Sequence, residues 1–445
     1  MRLKRVLTIA AITLLLCGCE NKKSVNLISF ESSGQEEEVS FTSQNSQVAE
    51  IIKSSRLNLV NKSTNNNSVA LSDKKYLSSL EQFTTNFANS VFDNKNAIFS
   101  PVSIFNCYGM MYEGTSDQVR ENLDEVFKYS EIDSLKNSIR EVMEILSLEG
   151  ENIRLDTSAS FWISDRGSEM ITEEYLSTLS DYYYTEAFKG DFTSYETKEA
   201  IASWINDKTN NMFKVNKEGF KFTEDTILAL YNTIYLKSSW LNNFTKELNF
   251  EDEFTTLDNS KSNKTFMRNS ENGSVYHHEQ FDIASLGLNG NIKFNMLLPK
   301  EGEDYISVFK NNVKNVISYK DLESSNYQIN YQVPVFDTKS KFDLKRELTK
   351  LGINDLFNPT RDYKNMFDLD SLDSDLEFKV SSSRHEAGID VNNDGIEAAA
   401  YTEIGFDTAT SVPPILETYD FKLNRPFMYS ITYRDLPLFV GMYVK

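Results

Sequence analysis

The chain has 445 residues, a formal net charge of −20 and a hydrophobic share of 40%. That length makes one large domain or two to three ordinary ones, with enough apolar residues for a sizeable core. The acidic balance argues against nucleic-acid binding, which needs clustered Lys and Arg to meet phosphates.

The chain opens with Arg2, Lys4 and Arg5 ahead of an apolar run over 6–16. Eleven residues are too few to cross a bilayer as a helix, which takes about 20, so the segment reads as an export signal. It ends Leu16-Cys17-Gly18-Cys19, which resembles the lipobox of bacterial lipoproteins. That resemblance implies a signal peptide over 1–18 and an acylated N-terminus at Cys19. The protein would then be exported and lipid-anchored to a bacterial membrane, in the periplasm or at the cell surface. The alternative is an ordinary signal peptide that contains Cys19. With Cys17 removed and Cys19 lipidated, Cys107 stands alone, and no intramolecular disulfide can form. Loss of Arg2, Lys4 and Arg5 takes the net charge to about −23.

Residues 20–72 are rich in Ser, Asn, Glu and Gln, with KSTNNNS at 62–68. The stretch 19–72 reads as a flexible tether, with a short helix expected around 46–59. From Asp73 the character changes. Apolar residues at 77, 80, 83, 87, 91 and 92 fall on one helical face. Ser100-Pro101 is a helix-start signal, and the apolar VSIFNCYGMMYEG behind it predicts a buried helix. Cys107, in its middle, reads as a small buried hydrophobe rather than a nucleophile. Helices are expected over 116–149, 170–182 and 197–213. Strands are expected at 155–163, 227–236, 292–298, 328–336, 376–391, 427–433 and 438–444. No repeat and no second linker divides 73–445, so it reads as one domain.

Catalytic signatures are missing: no GxSxG, HExxH, CxxC, P-loop or GxGxxG occurs. There are three histidines, His277, His278 and His385. The adjacent pair in His277-His278-Glu279 would face opposite ways on an extended segment, which disfavours a metal site. No metal or cofactor is expected.

Residues 390–406 read DVNNDGIEAAAYTEIGF. Asp390, Asn392, Asp394 and Gly395 match positions 1, 3, 5 and 6 of a calcium loop. Position 12, which should carry a bidentate carboxylate, is Tyr401. From Ile396 the pattern has period two. Ile396, Ala398, Ala400, Thr402, Ile404 and Phe406 share an uncharged face; Glu397, Glu403 and Asp407 lie on the other. That is the pattern of a half-buried strand, yet consecutive alanines are poor strand formers. Small residues suit a segment that slides between strands already in place.

The run Asn393-Asp394-Gly395-Ile396-Glu397-Ala398-Ala399-Ala400-Tyr401-Thr402 resembles the hinge of the serpin reactive-centre loop. Other blocks resemble the family in its order: Asn96–Ile104 (NAIFSPVSI), Asn232–Trp240 (NTIYLKSSW), Leu297-Leu298-Pro299, Val333-Pro334-Val335-Phe336, Asn424-Arg425-Pro426-Phe427 and Leu438-Phe439-Val440-Gly441. The resemblance covers 73–445. It implies an α+β serpin fold of about nine helices and three β-sheets, with an exposed loop able to enter the large central sheet. It implies an inhibitor rather than an enzyme: a suicide substrate that traps the acyl-enzyme of a serine protease, or of a cysteine protease. A non-inhibitory binding or structural protein is the alternative.

Family spacing implies a scissile bond at Ala409–Thr410, or at Thr410–Ser411. Those small residues suit elastase-like or subtilisin-like targets, and Phe406 adds a site for chymotrypsin-like or papain-like ones. Ser103, Asn232 and His385 match the polar cluster under the opening sheet, and Trp240 the aromatic residue at the entry point. Ile396 departs from the Thr or Ser of many members, and its stiff, bulky side chain is expected to slow entry. The resemblance also implies a monomer whose partner is a target protease.

Overall fold

A computed structural model describes residues 50–53, 73–129, 132–372, 375–381, 383–396 and 416–445. The signal 1–18, Cys19, hinge residues Glu397 to Thr402 and the expected scissile residues Ala409, Thr410 and Ser411 lie outside the described residues. So does the rest of 19–72, apart from one strand.

In chain order the elements begin with β1 (Glu50–Lys53), α1 (Lys74–Val91), β2 (Ala97–Phe99), α2 (Pro101–Gly114), α3 (Asp117–Phe127) and α4 (Ile132–Ile145). Then come β3 (Leu148–Gly150), β4 (Ile153–Ile163), α5 (Asp165–Ser168), α6 (Glu173–Tyr183), β5 (Thr185–Lys189), α7 (Tyr195–Lys208) and β6 (Leu228–Ser239). The middle of the chain forms β7 (Phe250–Thr255), β8 (Lys261–His277), β9 (Phe281–Leu288), β10 (Ile292–Pro299), α8 (Tyr305–Asn311) and α9 (Val313–Ile317). It closes with β11 (Glu323–Pro334), β12 (Phe336–Asp343), α10 (Leu344–Lys350), β13 (Arg384–Asn392), β14 (Gly395–Ile396), β15 (Thr418–Lys422), β16 (Phe427–Tyr433) and β17 (Leu436–Tyr443).

Local chemistry accounts for the helix starts. Asp73 caps α1, accepting from the Lys75 and Tyr76 amides, and its other oxygen accepts from Tyr129 and Ser138. Ser100 caps α2 ahead of Pro101. Every residue of α2 is buried except Cys107, which is partly buried; burial pushes its thiol up to about 12, far from a reactive thiolate.

The first sheet has the order β1-β5-β4-β6-β14-β13-β12, with β3 also on β4. The second runs β15-β11-β8-β9-β10-β16-β17-β2, with β7 on β8. Where three sheets were expected, hydrogen bonding joins two of them, because β8 runs unbroken from its pairing with β7 and β11 to its pairing with β9. β16 and β17 are buried at every position and form the wall between the layers.

Several expectations change. The helix expected around 46–59 is not found in its described part: Glu50–Lys53 is extended and pairs antiparallel with β5. The run at 328–336 is two strands, since the chain leaves one sheet at Pro334 and joins the other at Phe336. The strand expected from 376 starts only at Arg384. β7 and β8 carried no apolar run long enough to announce them, because polar Asn, Ser, Glu and Lys occupy many of their positions.

Candidate functional site: a gap in the large sheet

β6 pairs with β4 along its whole length on one edge. On its other edge it pairs only with β14, through Ser238 and Ser239. β13 likewise pairs with β12 on one edge and with β14, through Val391 and Asn392, on the other. Among the described residues no ladder joins β6 to β13 below β14. The two strands run parallel there, with a cavity of about 110 Å³ between them.

β14 is the wedge at the top of this gap. Gly395 has φ +143°, and a Cβ there would collide with the Ser238 carbonyl oxygen and lie 2.7 Å from Ser239 Cα. Only glycine fits between the two backbones. Ile396 follows with 3% exposure, so its bulk is accommodated in this position. Asn393, also buried, donates to the Phe244 carbonyl and the Asn249 side chain. The Asp394 backbone N–H donates to Asn392 Oδ1, and the Asn392 side-chain Nδ2 donates to Asp390 Oδ1. These contacts turn the chain from β13 into β14, and the calcium-like residues are engaged in that turn.

Trp240 closes the top. It is buried, donates from Nε1 to the Asn392 carbonyl at 2.9 Å, and meets Phe244 and Phe294 edge-on. At the floor, His385 Nε2 accepts from the Ser100 amide at 3.0 Å, and Ser103 Oγ donates to the Asn232 carbonyl at 3.2 Å. Ser103, Asn232 and His385 all line the cavity. The direct partner of His385 is Ser100, which the sequence reading left out. Only the fold reveals this contact, because it joins residues 285 positions apart.

The outer mouth of the gap is crossed by the segment after α7, where the helix expected over 197–213 instead ends at Lys208. Asn210 donates to Tyr235 on β6, Lys339 on β12 donates to the Met212 carbonyl, and Arg384 on β13 donates to the Gly219 carbonyl. Met212 and Phe213 lie against Gly388. Apolar residues at 212, 213, 215, 220 and 222 were its only signal, and they follow no period.

Burial lowers the His385 imidazole to about 3, so it is neutral in the fold. Unfolding returns it toward its ordinary value of 6.5. The unfolded chain therefore binds the extra proton, and stability falls as pH drops from 6.5 toward 3, by up to about 1.4 kcal/mol per pH unit. Denaturation at pH 7.5 and pH 5 is expected to show a loss roughly 2 kcal/mol larger in the native protein than in His385→Asn. Equal losses would contradict this.

The protein-family model described as Serpin (serine protease inhibitor) matches residues 29–445. The chain belongs to the serpin family. An uncharacterized serpin-like protein of Methanosarcina acetivorans is 26% identical, over 79% of this chain and 84% of its own. Human Serpin B4 is 25% identical, over 82% and 95%. Among solved structures, the thermophilic serpin Tengpin in its native state superposes with a TM-score of 0.72 at 22% identity, covering 85% of this chain and 96% of its own. A thyroxine-binding globulin complex with thyroxine superposes at 0.66 and 21% identity, over 82% and 99%. The α+β serpin fold is therefore shared, here with ten α-helices among the described residues. Protease inhibition is typical of serpins, and some members are non-inhibitory.

Proposed function

We propose that this serpin is a suicide-substrate inhibitor of serine proteases, with cysteine proteases as a further class. The observation that carries this is the gap between β6 and β13, across which no ladder runs among the described residues below β14, and whose top is already occupied by Gly395 and Ile396. A protease attacks the loop as substrate, forms its acyl bond near Ala409, and the freed loop enters the gap with the protease attached. The serpin supplies no catalytic residue.

In the inserted arrangement the register of β14 would continue down the gap. Ile396 pairs with Ser238 and Val391, antiparallel to both strands. Continuing it sets Ala398 beside Leu236 and Ile389, Ala400 beside Ile234 and Ala387, and Thr402 between Asn232 and His385. All three fall on the face of Ile396, and none carries a charge that burial would penalise. Each new ladder hydrogen bond adds about 0.5–1.5 kcal/mol net. The scissile bond is Ala409–Thr410 or Thr410–Ser411, which suits elastase-like or subtilisin-like enzymes. We assign 1–18 as signal peptide and Cys19 as the lipidated residue holding the domain to a bacterial membrane.

Mixing the protein with subtilisin or elastase and running a denaturing gel tests inhibition. An SDS-resistant covalent complex is expected, and the mass of the small released peptide gives the bond. Clean cleavage without complex would instead mark a non-inhibitory serpin. Cys19→Ser should move the protein from the membrane to the soluble fraction.

A further inference from the structure

The segment after α7 that covers the gap carries a thioether unlike the others in the chain. There are 11 methionines. Met1 lies outside the described residues. Nine of the rest, at 110, 111, 143, 170, 267, 296, 366, 428 and 442, are buried, none more than 5% exposed. Met212 alone among the described methionines is only partly buried.

Met212 is also placed where a change in its side chain would be felt. Its sulfur packs over Gly388 on β13: a Cβ on that glycine would come within 3.2 Å of the sulfur, 3.3 Å of Lys339 Cγ and 3.4 Å of Phe213 Cε1. The side chain lines the cavity together with Phe213, Val215 and Phe220. Its backbone N–H donates to the Thr209 carbonyl, and its carbonyl accepts from Lys339 Nζ on β12. The side chain thus packs the segment onto β13 while the carbonyl ties it to β12.

A thioether needs no activation to react with a peroxide; access to the sulfur sets which methionine reacts first. A sulfur lone pair takes the nearer peroxide oxygen and the O–O bond breaks. The proton of the transferred oxygen passes to the departing hydroxide, which leaves as water. Sulfur is oxidised and the peroxide reduced. The sulfoxide is polar and fits an apolar contact poorly. Because the sulfur already packs against Gly388, an added oxygen pushes the side chain off β13.

We propose that Met212 is an oxidant-modification site on the cover of the gap. Peroxide converts it to the sulfoxide, which detaches the segment after α7 from β13, and methionine sulfoxide reductases restore the contact. The site uses no part of the loop, so it stands or falls apart from the inhibition reading.

The test treats the full chain with dilute hydrogen peroxide and follows peptide masses over residues 73–445. Hydrogen exchange across 209–222 is the structural readout. Met212→Leu, close in volume and without sulfur, is the control. Met212 is expected to take up oxygen about ten times faster than any buried methionine, since those must wait for local opening. Exchange over 209–222 should then rise about ten-fold, the effect of losing one packed side-chain contact, while β16 and β17 stay as protected as before. Reductase treatment should reverse both changes, and Met212→Leu should keep its exchange pattern after the same exposure. Oxygen spread evenly over the methionines would overturn the proposal. So would a sulfoxide at Met212 with exchange over 209–222 unchanged, because the thioether would then hold nothing in place. An equal rise in Met212→Leu would overturn it as well, since the peroxide would be acting elsewhere.

Discussion

Ala400→Asp is expected to turn the protein from an inhibitor into a substrate. In the inserted arrangement proposed above, continuing the register of Gly395 and Ile396 would set position 400 between Ile234 and Ala387, on the face of Ile396. A carboxylate there would be buried beside Ile234 and Ala387, and burying it unpaired costs several kcal/mol. The penalty falls midway through entry, while the acyl bond is still intact, so deacylation overtakes insertion. Gels should show full cleavage and no SDS-resistant complex. Glu397→Gln alters the opposite face and should inhibit like the native chain. If Ala400→Asp still traps protease in proportion, the register is wrong.

Trp240→Ala should be the most damaging single core change near the site. The indole is 2% exposed, fills the space against Phe244 and Phe294, and satisfies the Asn392 carbonyl at the mouth of the gap. Truncating a buried tryptophan costs about 3–5 kcal/mol. Trp240→Phe keeps most of the packing and loses the hydrogen bond, for about 1 kcal/mol. Denaturant midpoints should rank native above Phe above Ala, with a large second step. A loss under 1 kcal/mol in Trp240→Ala would show that the ring is not a structural cap.

A strand alternates with period two, so the uncharged face of residues 396–406 was legible as a strand pattern; its reading as a hinge came from the resemblance to the serpin family, and Gly395 and Ile396 are the part of it that the structure describes, as β14. Gly395 was readable as a pivot, but the reason it must be glycine lies in the Ser238 and Ser239 backbone, which is brought close only by the fold. Ile396 is buried at the top of the gap in the structure. Sequence resemblance placed Ser103, Asn232, His385 and Trp240 around one site, and all four border the gap or its mouth. Their partners were not readable. Ser100 and Asn392 contribute backbone groups, which carry no residue signature. The segment after α7 joins parts far apart in the chain, so no local pattern announces it. His277 and His278 do turn to different partners, Asp282 and Phe281, as the extended geometry at that point requires.

Melting the protein before and after a single cut within residues 397–415 asks directly whether the gap accepts a strand. About ten new ladder positions at roughly 1 kcal/mol each, with the burial of one apolar loop face, should make the cut chain melt far above the intact one. A cut chain that melts at or below the intact protein would mean that the gap stays empty and that the loop is only a substrate.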